Sequence, residues 1–250
     1  MLPGLRGWTD VRRTPQSNLR LGAMLAFVAG ATNAGGFLAV GQYTSHMTGI
    51  VSTMADHLVL GDAQVVLVAL ASLLSFVAGA MTTAILVNWG LRRHLHSAYS
   101  LPLLLEAGAL LAFGLLGSSL DLWTALLVPV AILLLCFMMG LQNAVISKIS
   151  RAEIRTTHVT GLVTDLGIEL GKLVYFNRLN GAAPVRASRD RMRTQGLLIG
   201  LFFVGGITGA LGFQLAGYVT TVPLALLLLM ISWRPVLADF RGVARSVEHL

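Results

Sequence analysis

The chain has 250 residues and a formal charge of +7, yet only 12% of its residues are charged against 55% that are hydrophobic. Soluble globular domains carry roughly a quarter charged residues, so that class gives way to a helical membrane protein, whose apolar stretches cross ~30 Å of hydrocarbon. Nucleic acid is set aside too: no Lys or Arg occurs from Leu21 to Gly90, while Arg186, Arg189, Arg191 and Arg193 crowd one loop, as in cytoplasmic loops beside an anionic leaflet.

In chain order, residues 1–20 read as a cytoplasmic segment with Arg6, Arg12, Arg13 and Arg20. A first span is expected at about 21–40. Ala29-Gly30-Ala31 resembles a signal-peptidase site and Arg12-Arg13 a twin arginine. No hydrophobic pair follows the arginines, however, and cleavage would remove a segment that recurs later, so the span is expected to remain. Residues 44–60 form a short helix whose ~15 residues rise only about 22 Å, too little to cross. Spans follow at 65–89, at 100–118 with Glu106 inside it, and at 123–146. Segment 156–171 is again short, and 172–194 is a basic loop containing Asn180-Gly181 and Pro184. Spans at 195–217 and 219–233 and a cytoplasmic tail, 234–250, complete the chain. Trp89, Trp123 and Trp233 fall at span ends, where indole favours the headgroup region. Cys136 has no disulfide partner or metal spacing and reads as a small core residue.

The N-terminal arginines, Arg92-Arg93, Lys148, Arg151, Arg155, the 172–194 loop and Arg234 share the cytoplasmic side only if 44–60 and 156–171 do not cross. Each short segment therefore dips into the membrane and returns, or lies along its surface. Both termini are expected to be cytoplasmic.

The short segments are copies. Thr44-Ser45-His46-Met47-Thr48-Gly49-Ile50-Val51-Ser52 aligns with Thr156-Thr157-His158-Val159-Thr160-Gly161-Leu162-Val163-Thr164, five of nine positions being identical, and the histidines lie 112 residues apart (158 − 46). Upstream, Gly30-Ala31-Thr32-Asn33-Ala34 matches Gly140-Leu141-Gln142-Asn143-Ala144; downstream, Phe76-Val77-Ala78-Gly79 matches Phe203-Val204-Gly205-Gly206. Three matches in one order indicate duplication. The expected fold is an all-α membrane protein of six transmembrane helices in two three-helix repeats, 21–118 and 123–233, each with a short re-entrant or interrupted helix after its first span. An odd number of spans per repeat inverts the second relative to the first, a transporter arrangement.

Thr44 or Ser45 is the expected N-cap of the first short helix. On a helical wheel Thr48, Ser52 and Asp56 share a polar arc with His46, Thr53 and His57, opposite Ile50, Val51, Met54 and Leu58. The second copy sets Thr160, Thr164 and Asp165 with His158 and Glu169. A dipping half-helix would offer unsatisfied backbone N–H groups and a positive dipole end to an anionic or hydrogen-bonding solute. A helix lying in the headgroup layer usually carries Lys or Arg, and 44–60 has neither. The candidate solute-binding residues are thus Ser45, His46, Thr48, Thr157, His158 and Thr160, with His46 and His158 expected to approach each other in one cavity. Each histidine has two readings of equal weight: contact with solute or proton, and a neutral imidazole pinning the turn. Asn33 and Asn143 are expected to bond backbone freed by the interruption, with solute contact as the other option.

Glu106, flanked by leucine and alanine inside a span, should face the protein interior, and proton coupling is its functional reading. The bland one is a position one or two turns below the interface, within reach of water. Gly22-x3-Ala26-x3-Gly30 and Gly205-x3-Gly209 permit close helix packing, expected within the monomer. No Walker loop, His-Glu-x-x-His or Gly-x-Ser-x-Gly occurs, so neither enzyme nor cofactor is expected. Asp165 and Glu169 beside His158 suit a metal, but the first copy has Thr53 and His57 there, so no metal site is assigned.

Asn33-Ala34-Gly35-Gly36-Phe37 followed by Ser45-His46-Met47-Thr48-Gly49, with the echo at 140–144 and 157–161, resembles the YoaK-like family of bacterial membrane proteins over residues ~20–235. That family usually has Asp where Asn33 stands. The resemblance implies a polytopic protein of the bacterial inner membrane and no particular activity. The combined expectation is a secondary transporter or facilitator of a small polar solute, anions included. A channel-like pore and a non-transporting scaffold that meets lipid through the basic loop are the alternatives. Small solute and membrane lipid are the expected partners, with oligomeric state open and a homodimer among the options.

Overall fold

The computed structural model describes residues 9, 14–117, 124–177 and 183–247, without the side chains of 124–126 and 241–247. Arg6, Arg12, Arg13, Trp123 and Asn180-Gly181 lie outside the described residues. Among those described the chain is all helix, with no strand: α1 Pro15–Val40, α2 Met47–Leu60, α3 Ala63–Arg92, α4 Ser100–Gly117, α5 Thr124–Ser150, α6 Val159–Val174, α7 Arg189–Ala216 and α8 Thr221–Val247. A 3₁₀ turn over Gly217–Thr220 joins the last two. Five helical stretches are long and apolar enough to cross a membrane: α1, α3, α4, residues 127–150 of α5, and the 52-residue run Arg189–Phe240. A straight helix of that last length would extend about 78 Å, but Gly217 breaks it at φ 59°, ψ −143°.

Three expected boundaries shift for local reasons. α7 starts at Arg189 rather than near 195, inside the expected 172–194 loop, because the Ser188 hydroxyl caps it by accepting from the Arg191 N–H. α1 starts at Pro15 rather than near 21, because Thr14 and Ser17 form a capping box and proline suits the first helical position. α8 continues past Trp233, through Pro235, to Val247, so helix occupies most of the expected tail.

α3 is patterned inside-out. It buries Ala69, Ser72, Gly79, Thr83 and Gly90 while Leu67, Leu74, Met81 and Ile85 are exposed. Water would penalise such a face; hydrocarbon solvates it and leaves the small residues to let backbones approach.

Close backbone approach sets the architecture. A Cβ on Gly30 would collide with the carbonyl oxygen of Phe202, and one on Gly205 with that of Phe27. The same pair recurs between α3 and α5: Gly79 lies on the Phe137 carbonyl and Gly140 on the Phe76 carbonyl. Gly209, four residues beyond Gly205, faces Ala31, so Gly205-x3-Gly209 packs within the chain. Residue numbers rise together across both crossings, so α1 runs parallel to α7 and α3 parallel to α5. On the second pair Ser75 Oγ donates to the Leu133 carbonyl (2.7 Å) and Thr83 Oγ1 to the Leu141 carbonyl (3.0 Å), bonds worth roughly 0.6 kcal/mol each in a bilayer.

α1 and α5 are antiparallel, Gly22 meeting Ile146 and Gly36 meeting Leu135. α4 and α8 are antiparallel too, from His96 beside Asp239 to Gly117 beside Tyr218. The crossings correct the downstream alignment by one residue: Phe76 and Gly79 correspond to Phe202 and Gly205, not to Phe203 and Gly206.

Candidate functional site

Both copies of the motif build one local structure. α2 and α6 begin at N-caps His46 (φ −95°, ψ 70°) and His158 (φ −85°, ψ 59°), neither with a side-chain cap bond. Neither expected cap, Thr44 or Ser45, caps the helix. Ser45 donates its hydroxyl (3.0 Å) and its N–H (3.4 Å) to Asn33 Oδ1, while Thr44 is fully buried. In the second copy Thr157 donates to Asn143 Oδ1 (2.7 Å), Thr156 is fully buried, and Asn143 Nδ2 also donates to the Met139 carbonyl (2.8 Å). The asparagines thus tie the end of one helix to the start of the next, mainly through a hydroxyl. Each imidazole lies over the helix's first turn, against Gly49 or Gly161, where any larger residue would meet the ring.

The copies differ in what meets the histidine. An Arg155 guanidinium N–H donates to His158 Nδ1 (2.9 Å). Arginine only donates, so Nδ1 is the acceptor of this bond. The matching position in the first copy is Tyr43, which stacks on Phe37 with ring centroids 4.5 Å apart.

The motifs do not share a cavity. His46, Gly49 and Thr53 line a pocket of about 300 Å³ against Val65, Val68 and Ala69 of α3. His158, Thr160, Thr164 and Asp165 line an open cleft of about 1310 Å³ with the starts of α1 and α7. The two have no lining residue in common. Thr44 packs near Gly36 and Ile154 against Gly22, positions about 20 Å apart along α1 at 1.5 Å per residue. This corrects the expectation that His46 and His158 meet. Each motif follows the C-terminus of its helix, and α1 and α5 are antiparallel, so the motifs occupy opposite ends. Thr48 does not line the smaller pocket, whereas its counterpart Thr160 lines the cleft.

A model of the family described as Protein of unknown function (DUF1275) matches residues 21–233, which span both motifs and most of the helical residues. The chain belongs to the DUF1275 family. No curated protein and no solved structure matches it.

In the cleft of this DUF1275 chain Gln195 is the residue without a sequence signal, and Glu169 and Arg191 take roles other than those expected. Glu169 was weighed as a metal ligand, but its Oε1 accepts from Lys172 Nζ (2.8 Å) and its Oε2 from the Ser188 N–H (2.7 Å). Those two hydrogen bonds, the Lys172 one first, hold its carboxyl below the usual value. The pair fastens α6 to the start of α7. Gln195 and Arg191 enter the cleft from α7 at positions that the glycine crossings match to Ala69 and Val65.

Glu106 faces the interior, as its apolar neighbours required. It is fully buried on α4, neither carboxylate oxygen has a partner among the described residues, and it lines neither cavity.

Proposed function

We propose that this DUF1275 chain is a secondary transporter or facilitator of a small polar solute. Two inverted halves would expose equivalent regions to opposite sides of the membrane in turn. The observation that carries the proposal is the unequal pair of cavities: matching helix–loop–helix segments at opposite ends of antiparallel α1 and α5 enclose about 1310 Å³ in one half and 300 Å³ in the other. Alternating access in inverted-repeat transporters arises when two like halves adopt unlike conformations around one core. The glycine crossings between the cavities disfavour a standing pore.

On this reading α1, α3, α4, α5, α7 and α8 are six spans, and the wider cleft opens to the cytoplasm, where Arg151, Arg155 and the basic loop lie. Both termini are cytoplasmic and the membrane is a bacterial inner membrane. His158, Thr157 and Thr160 with Asn143 serve the open side, and His46, Ser45 and Thr48 with Asn33 the closed one. Glu106, buried with no partner among the described residues, is the group for proton coupling.

Cysteine accessibility tests the proposal. In a background with Cys136 replaced, Thr164→Cys should label from the cytoplasmic side with a membrane-impermeant maleimide, and Thr53→Cys from the opposite side. Conditions that protect one should expose the other. Simultaneous full labelling of both, accompanied by ion conductance, would establish a pore instead.

A further inference from the structure

The wider cleft has two chemical ends. At one, the first turn of α6 presents backbone N–H groups without a side-chain cap, beside the Arg155 guanidinium. Unsatisfied N–H groups and the helix dipole favour negative charge there. The opposite end presents acceptors. Asp165 lies about one turn further along α6 and has no cation within 4.0 Å among the described residues. Gln195 lines the cleft from α7 nine-tenths buried, and its Oε1 has no hydrogen-bond donor among the described residues. Leaving a buried acceptor unpaired is costly, so this one awaits a donor.

Charge in the cleft is balanced. Lys172 is taken up by Glu169, which leaves Arg155, Arg191 and Arg193 against Glu153, Asp165 and Asp190. A cleft for simple anions would show an excess of cations. The counterpart pocket has Val65, Val68 and Ala69 where this one has Arg191, Thr194 and Gln195, so the two-ended character belongs to this half.

We propose that the cleft binds a small zwitterion. Its carboxylate or phosphate rests on Arg155 and the first turn of α6, and its ammonium group on Asp165 and Gln195. The axial rise from Gly161 to Asp165 is about 6 Å, so both ends contact one small molecule. This rests on reading the cleft as the solute vestibule. A free amino acid and the ethanolamine-phosphate headgroup of a lipid share this chemistry.

Binding to the purified full-length protein in detergent, followed by calorimetry and thermal shift, tests it with four probes: glycine, phosphoethanolamine, acetate and ethylammonium. A ligand that binds only the folded form raises the melting temperature. At least one zwitterion should bind ten times or more tightly than acetate or ethylammonium. Asp165→Asn and Arg155→Gln, both at exposed positions, should each weaken it at least tenfold, and Asp165→Asn should leave acetate unaffected. Phosphoethanolamine binding without glycine would name the lipid headgroup as the source, and glycine binding the free solute. Equal affinity for acetate and glycine, equal affinity for ethylammonium and glycine, or no binding by any probe would overturn the inference. Alternating cysteine accessibility with no zwitterion bound would fell this inference alone. Zwitterion binding without alternation would fell the transporter reading and leave a binding site.

Discussion

His158 lies over Gly161: a Cβ added to the glycine would stand 2.5 Å from the imidazole Nδ1, the atom that accepts from Arg155. His46 covers Gly49 at the same 2.5 Å, with Tyr43 where the second copy has Arg155. The two glycines should therefore respond differently to alanine. Alanine is the better helix former by about 1 kcal/mol, and the His46 ring is a side chain that can swing aside, so Gly49→Ala should be neutral or stabilising. Gly161→Ala must displace a ring held by Arg155 and should be the more destabilising. In the Arg155→Ala background that excess should vanish. Melting temperatures of the four proteins in detergent check this as a double-mutant cycle.

Gly30, Gly79, Gly140 and Gly205 each meet a carbonyl oxygen of the facing helix, and backbone cannot swing aside. Alanine at any of the four should destabilise by about 1–3 kcal/mol, the range for overpacking, with similar values across the two crossings. Gly108 has nothing within 4 Å, so Gly108→Ala should be neutral or stabilising. Chemical unfolding in a common detergent decides it, and four neutral variants would refute the close approach.

Asn33 and Asn143 look interchangeable and are not. Asn33 Oδ1 only accepts in its two bonds to Ser45, work that a carboxylate can do. Asn143 also donates, through Nδ2 to the Met139 carbonyl, and a carboxylate there would face a carbonyl oxygen. Asn33→Asp should keep near-native stability, while Asn143→Asp should lose about 1–3 kcal/mol. Paired thermal melts at neutral pH would show the asymmetry.

Glu169 makes the attachment of α6 to α7 acid-sensitive. Its folded-state pKa is lowered by Lys172 and Ser188, so it contributes stability above the ordinary carboxylate value and loses it as pH falls through the lower, folded value. The wild-type melting temperature should fall more steeply in acid than that of Glu169→Gln. Parallel curves for the two proteins would remove this carboxylate from the account.

Glu106 is buried with no partner for either oxygen among the described residues, and burying a carboxylate that way costs stability. Glu106→Gln should fold and insert with a melting temperature at or above that of the wild type. Transport in proteoliposomes should then lose its dependence on a pH gradient. A wild-type pH response in the variant would end the coupling role.

The motif repeat was legible because one local task, a loop tied by asparagine and a ring laid on glycine, demands the same residue types at the same spacing. The inward side of Glu106 was legible for a similar reason, since hydrocarbon leaves a carboxylate no other place. The register of the third match was not. Phe202-Phe203 and Gly205-Gly206 are doublets, so sliding by one still pairs Phe with Phe and Gly with Gly, and only the carbonyls meeting Gly79 and Gly30 decide. The expected cap, Thr44 or Ser45, fails because Asn33 takes up the Ser45 hydroxyl and Thr44 is buried, so His46 stands at the helix start. Gln195 left no mark because no second Gln stands at its counterpart, Ala69.

The glycine crossings bear on how the protein is made. α1 packs on α7 and α3 on α5, so each closely approached helix in the first half takes its partner from the second. When α4 leaves the ribosome, Gly30 on α1 still faces no backbone, and it waits until residue 205 has been synthesised. The nascent first half thus presents a small-residue groove to lipid or to the insertion machinery for much of translation. Severed between α4 and α5, the two fragments should assemble when produced together, and neither should reach a compact state alone.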